Sequence, residues 1–398
     1  MDVISDRTAA VSPPFDAGRL DALMEAAGLD ALLATSPHAT RYLLGGYRFF
    51  LYDRLDAIGA SRYLPVVGYV RGRPDRAFFV GAGNEAWGTD AHPLWVPDVA
   101  LVSWSSQTAG RAAGQRLAAR LPRGAAARVG IEPPYLPSDA RTAWDDDLRG
   151  VALVDATGVL DELRAVKTPG ELAVMRDASE AVVDAMLATF AALAPGATTA
   201  QAAERLRLEQ TRRGLVYDYA LVAAGPHLGR APTRDRVVAP GDVLSLDSGA
   251  DRDGYTADLT RMGLAGAPTH RHDDLLAQVD AVQQAVRAAV APGRRGGDLF
   301  DVAATTIAGL PDAAHLSFLA HGTGLLTHEA PRLTDSGSPP YPATHRERPL
   351  EAGMVLSIES QVADPELGLV KLEDTVFVIE QGNEAVGDRG RGWNRLGG

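Results

Sequence analysis

Apolar positions along the chain change their period repeatedly, and each change marks an element. Leu20, Leu23, Met24 and Ala27 recur at helical spacing, Gly28 closes the run, and the apolar stretch ALLAT follows, bounded by SPHAT. This predicts a helix, a turn and a strand. The runs LPVVGYV, RAFFVG and VALVSW, punctuated by Gly, Pro and Asp, predict further strands, and GRAAGQRLAARL another helix. The first part of the chain therefore predicts an α/β domain. Pro169 and Gly170 then interrupt the pattern, and a long amphipathic helix is expected from about Glu171 to Leu193. A domain boundary near 165 follows, giving domains 1–165 and 166–398.

Beyond the boundary, helical patterns (TAQAAERLRLEQTRRG, HDDLLAQVDAVQQAVRAAVAPG, DLFDVAATTIAGL) alternate with strand patterns (DVLSLDSGA, MVLSIES, LVKLEDTVFVIE). The switches predict an α+β domain with helices packed on a largely antiparallel sheet. The closing GDRGRGWNRLGG carries no period and is expected to be an irregular tail.

Composition narrows the chemistry more than the fold. The 398 residues exceed what one core usually serves, and 46% hydrophobic with 23% charged residues is a globular balance. There is no cysteine, so thiolate nucleophiles and Cys-held zinc are excluded and any metal must be bound by His, Asp or Glu. A net charge of −12, without a basic patch interleaved with aromatics, argues against nucleic acid as a partner. No long uninterrupted apolar run occurs, and MDVISDRTAAVSPP lacks the basic and apolar regions of a leader, so no membrane partner and a cytoplasmic location are expected.

Within this frame several acids and histidines stand out. Asp247 ends an apolar strand and Asp258 follows eleven residues later, after a turn marked DRDGY; a hairpin there would bring both carboxylates together. Alone, acids near turns are usually solvated or capping. His321 follows SFLA and precedes GTG, glycines that allow the backbone a close approach, and His328 comes seven positions later. Glu359 in MVLSIES and Glu373 in LVKLEDTVFV interrupt apolar strands, where a carboxylate is costly to bury unless paired or bound to a cation. Four carboxylates and one imidazole suit a hard or borderline divalent cation such as Mn²⁺, Co²⁺, Fe²⁺ or Zn²⁺.

In order and spacing these residues resemble the pita-bread metallohydrolases, which include methionine aminopeptidase, aminopeptidase P, prolidase and creatinase. RLDALMEAAGLDALLATSPHATRYLLGG and ELRAVKTPGELAVMRDA extend the resemblance to the amino-terminal domain of the aminopeptidase P, prolidase and creatinase branch. The resemblance implies a curved antiparallel sheet flanked by helices, preceded by the smaller α/β domain. It also implies two divalent metal ions, manganese favoured: Asp247 chelating one, His321 and Glu359 the other, and Asp258 and Glu373 bridging them. A bridging hydroxide would be the nucleophile, with Glu359 passing its proton to the leaving nitrogen and His328 facing the substrate.

The pattern also departs from the family. Ser317 stands four residues before His321, where proline-preferring members carry a histidine; Lys371 replaces an arginine two residues before the last glutamate; and Glu359 is followed by Ser360 and Gln361, not by Pro and Gly. A further family histidine has only His227 as its counterpart, displaced towards the start of its segment. Ser317, His227 and Lys371 are thus the candidate substrate-side residues. The expected function is hydrolysis of an amide C–N bond in small peptides, as in an Xaa-Pro dipeptidase or aminopeptidase. The alternatives are hydrolysis of a small non-peptide amide, amidine or urea, as in creatinase or ectoine hydrolase, and a binding protein that has lost catalysis. A homodimer is expected, and YRFFLY at 47–52 is a candidate contact to a neighbouring subunit or ordinary packing.

Overall fold

A computed structural model describes residues 12–56, 59–102, 104–122, 126–336 and 340–397, so most of the segment searched for a leader lies outside the described residues. The chain forms two units, Met1–Leu163 and Arg164–Gly398.

In the first unit, α1 (Ala17–Ala26) starts where the Asp16 side chain accepts the Arg19 N–H, and β1 (Ala31–Ala34) is buried throughout. Then come α2 (Pro37–Leu43), β2 (Val66–Val70), β3 (Arg73–Ala82), α3 (Ala86–Ala91), β4 (Asp98–Val102), α4 (Ser106–Ala118), β5 (Arg128–Ile131), α5 (Ser138–Asp147), β6 (Ala152–Asp155) and α6 (Thr157–Ala165). The strands form a mixed six-stranded sheet in the order β4-β3-β2-β1-β5-β6. Leu33, Val66, Phe78 and Trp144 lie in the core on one of its faces. Phe49, Leu51 and Tyr52 of YRFFLY are buried with Tyr63 in a cluster of their own, and Phe50 projects, 60% exposed.

The second unit begins with α7 (Pro169–Ala192), whose start is fixed by Thr168 and Glu171 in a reciprocal cap with Pro169 in the first turn. The residues that interrupt the sequence pattern are thus the helix start itself. After α8 (Thr199–Arg212) come β7 (Val216–Ala224), β8 (Val243–Arg252), β9 (Tyr255–Leu264), α9 (His270–Ala289), α10 (Asp298–Ala308), β10 (Leu316–Gly322), β11 (Val355–Asp364), β12 (Gly368–Ile379), β13 (Gly382–Val386) and β14 (Asn394–Arg395). The main sheet runs β10-β11-β12-β9-β8-β7, with every neighbouring pair antiparallel.

Between β8 and β9 the chain turns on Asp253 and Gly254, both with positive φ (50° and 83°), a two-residue turn whose twist suits a hairpin. Helices α7 and α8 cover β7 to β9 through Val182, Met186, Phe190 and Leu206, while α9 and α10 cover β10 to β12 through Val282, Val286 and Leu299. The closing segment is irregular apart from Asn394 and Arg395, as expected, but it is tied down. Asn394 and Arg395 pair in parallel with Gly263 and Leu264, Arg389 is bound to Glu180 and Asp184, and Arg391 to Asp280 and Asp374. Ion pairs across long sequence distances supply what local apolar patterning lacks.

Candidate metal centre

Sheet register assembles the site. Glu359 is opposite Glu373, Glu373 is opposite Thr260, and Thr260 is opposite Asp247, a single row across β11, β12, β9 and β8. Asp258 faces Gly249, two residues along from the Asp247 row, and His321 faces Ser357, two residues along from Glu359. Because side chains alternate with period two, all five groups share one face. The hairpin therefore does bring the two aspartates together, offset by one step of the pleat rather than directly opposed. The Gly249 position matters: a Cβ there would stand 2.4 Å from the Tyr219 ring, so only glycine lets that ring pack beside Asp258.

Four of the five groups are buried; Glu359 is the most open, its side chain 16% exposed. Tyr219 donates its hydroxyl to Asp258 Oδ1 at 2.5 Å. Thr260 and Ser357 donate to the two oxygens of Glu373, at 2.9 and 2.8 Å. Behind them, the wholly buried Arg261 donates to the carbonyls of Glu373, Thr260, Gly387 and Arg389 and pairs with Asp374 at 3.0 Å. Asp258, His321 and Glu373 offer ligand atoms within 4.8 Å of one another.

The His321 imidazole has one nitrogen to spare. Its Nδ1 lies 3.2 Å from the Gly322 carbonyl, so a proton there leaves the lone pair on Nε2, which is buried without a hydrogen-bond partner. Glu359 Oε1 is 3.8 Å from that nitrogen. A buried acceptor with nothing to accept from, beside buried carboxylates, is the arrangement a divalent cation satisfies. His328 lies with its ring stacked on His321, centroids 3.7 Å apart, and its Nδ1 3.3 Å from the Tyr341 hydroxyl. Burial, reinforced by His321, pushes His328 down to about 4, leaving it neutral.

Charge is concentrated here. Burial pushes Asp258 well above the usual carboxylate range, with the charges of Glu373 and Asp247 adding to it. Asp247 is likewise pushed up to about 6 by burial, against the pull of Lys371. Glu373, which burial alone would raise, is drawn down by Lys371. The Lys371 ammonium is buried among them, 2.6 Å from Asp247 Oδ2, 2.5 Å from Glu359 Oε2 and 2.9 Å from Glu373 Oε2.

The substrate-side residues fall out differently. Ser317 is on β10 two steps of the pleat from His321 and is exposed, and His227 is exposed in the turn after β7. The cation from that turn is Arg230, whose Nη1 reaches Asp247 Oδ2 at 3.1 Å. Neither Arg230 nor Tyr219 stands out in the sequence; the alternation in YDYALV puts Tyr219 directly before Ala220, the first buried position of β7, the one signal that could have found it.

A curved antiparallel sheet presenting acids and a histidine on one face, with a separate α/β unit before it, defines a pita-bread metallohydrolase. Residues 173–380 match the model of metallopeptidase family M24, and residues 17–166 that of the creatinase/prolidase N-terminal domain. The chain belongs to metallopeptidase family M24, and so to the hydrolases. Among its relatives, an Xaa-Pro dipeptidase from Pyrococcus furiosus is 28% identical over 232 residues, 56% of this chain and 63% of that protein. The probable dipeptidase PepE of Mycobacterium bovis is 32% identical over 253 residues, 60% of this chain and 63% of that protein. These matches span less than two thirds of either relative. An Xaa-Pro dipeptidase from Bacillus anthracis has the same fold throughout, with a TM-score of 0.77 at 20% identity over 96% of this chain and 99% of that one. No helix among the described residues is long and apolar enough to cross a membrane.

Proposed function

We propose that the protein is a metal-dependent hydrolase that cleaves the amide C–N bond of small peptides, in the manner of an Xaa-Pro dipeptidase or aminopeptidase. The observation that carries this reading is the convergence of Asp258, His321 and Glu373, with the Nε2 of His321 buried and unsatisfied. The names of the dipeptidase relatives support the substrate class. Asp258, His321 and Glu373 would hold a divalent ion, manganese being favoured, with Asp247 and Glu359 as the remaining members of the family's ligand set; how many ions the chain holds turns on Lys371. A divalent ion there would act as a Lewis acid and lower the pKa of an attacking water.

The chain's own groups account for the rest. Glu359, the least buried of the acids, accepts the proton of the attacking water and delivers it to the leaving nitrogen. His328, held against His321 and Tyr341, hydrogen-bonds the oxygen on which charge develops. Ser317 and the exposed His227 replace substrate contacts that proline-preferring members have. That substitution, with Arg230 at the Asp247 carboxylate, supports the second reading, a small non-peptide amide or urea as substrate.

Purified protein supplied with Mn²⁺, Co²⁺ or Zn²⁺ and assayed on Xaa-Pro dipeptides, Xaa-Pro-Yaa tripeptides and small cyclic or urea-like amides separates the two. Turnover of the peptides is the expected result. Peptides left intact with every metal would refute the first reading, and turnover of the small amides alone would establish the second.

A further inference from the structure

The five-residue pattern gathers carboxylates that repel one another, and in this chain a side chain already neutralises part of that charge. We propose that the ammonium of Lys371 takes the place of one cation, so that the site holds a single divalent ion, at Asp258, His321 and Glu373. This rests on the metal-centre part of the reading above and not on the identity of the substrate.

An ammonium has three N–H donors. Those of Lys371 are matched by three carboxylate oxygens at 2.5 to 2.9 Å, one each from Asp247, Glu359 and Glu373. All three belong to the set of five, and Asp247 and Glu359 are the ones missing from the group whose ligand atoms converge within 4.8 Å. The same oxygen of Asp247 that accepts from Lys371 also accepts from Arg230, so two cations flank it. A metal bound there would need that oxygen at roughly 2.0–2.2 Å, in the space the ammonium fills. The lysine cannot easily swing away: its side chain is 3% exposed and rises from β12, which lies between two partner strands.

Charge balance favours the same count. Four carboxylates, Asp247, Asp258, Glu359 and Glu373, face one ammonium and one guanidinium, which leaves room for a single divalent ion before the site turns net positive. Lysine is suited to this role because it is a compact point charge; the planar fork of an arginine spreads the same charge over a larger, directional group.

The experiment is metal counting on the full chain. Protein incubated with excess MnCl₂ and freed of unbound ion by gel filtration is analysed for manganese per chain, with the electron paramagnetic resonance spectrum recorded on the same sample. The expected result is about one ion per chain with the spectrum of an isolated Mn²⁺. The variant Lys371→Met, if folded by circular dichroism, should rise to about two ions with exchange-coupled spectra. Two coupled ions in the unaltered protein, or none, would overturn the proposal, as would a folded Lys371→Met that stays at one. If Lys371→Met does not fold, the count in the unaltered protein still decides. One bound ion without peptide hydrolysis would leave the inference standing while the peptidase reading falls.

Discussion

Glu329 follows His328 directly, and its carboxylate is the anion of a buried trio. Lys167 Nζ lies 3.0 Å from one oxygen and Arg164 Nε 3.3 Å from the other, and all three side chains are at most 2% exposed. Substituting Glu329→Gln keeps the shape and removes the charge. Two buried cations then lose their common counter-charge, and breaking a buried pair from one side costs about 3–5 kcal/mol. For a domain of this size each kcal/mol moves the midpoint of thermal unfolding by about 2–4 °C. The second unit should therefore unfold roughly 6–20 °C lower, as read by differential scanning calorimetry. Adding Lys167→Met removes one of the two cations and should restore part of the loss, since coupled residues are not additive. A shift below about 2 °C for Glu329→Gln, or a further loss of similar size in the double variant, would show that the trio is solvated and that the reasoning fails.

Other expectations test the site and its supports separately. Tyr219→Phe removes the hydrogen bond to Asp258 Oδ1 and should weaken Mn²⁺ binding roughly 10–100-fold, measured by competition with a chelating dye; unchanged affinity would mean that Asp258 is not a ligand. Asp312 is held down to about 2 by Arg271, with Gln278 assisting, below its ordinary value of 3.8. Its folded value lies below the unfolded one, so its contribution is complete above about pH 4 and is lost as pH falls towards 2. Denaturant curves of Asp312→Asn and the unaltered protein should therefore differ at neutral pH and converge across that window; a constant gap would refute the linkage. In the first unit, Gly68→Ala would put a Cβ 2.2 Å from the Phe78 ring and should cost about 1–3 kcal/mol by urea unfolding, and an unchanged midpoint would show that the ring can yield.

Much of this architecture was legible from one sequence because the features that carry it are local. Asp253 and Gly254 announce a hairpin in two residues, and the alternation through DVLSLDSGA and LVKLEDTVFV fixes which side chains share a face. Once the strands are known, Asp247, Asp258, Glu359 and Glu373 fall into place with His321. What stayed hidden depends on where long side chains end. Lys371 stood out by type, but only the pairing of β11, β12, β9 and β8 reveals that its ammonium meets three carboxylates. The turn after β7 drew attention to His227, whereas Arg230 makes the contact, because a loop's path sets which residue points inward and no periodicity encodes it. What anchors the irregular closing segment is hidden for a related reason: Arg389 and Arg391 find acids more than a hundred residues upstream, at Glu180 and Asp280.

The row that runs through Glu359, Glu373, Thr260 and Asp247 makes the centre a gauge of strand alignment. A slip of one residue in any of those strands would turn its donor to the opposite face of the sheet. A misregistered sheet thus has no chelating set, and an ion can bind only the correctly paired one. By mass action, each tenfold excess of free ion over its dissociation constant then adds about 1.4 kcal/mol in favour of that pairing. A bound ion would thus act as a proofreader of assembly as well as a reagent.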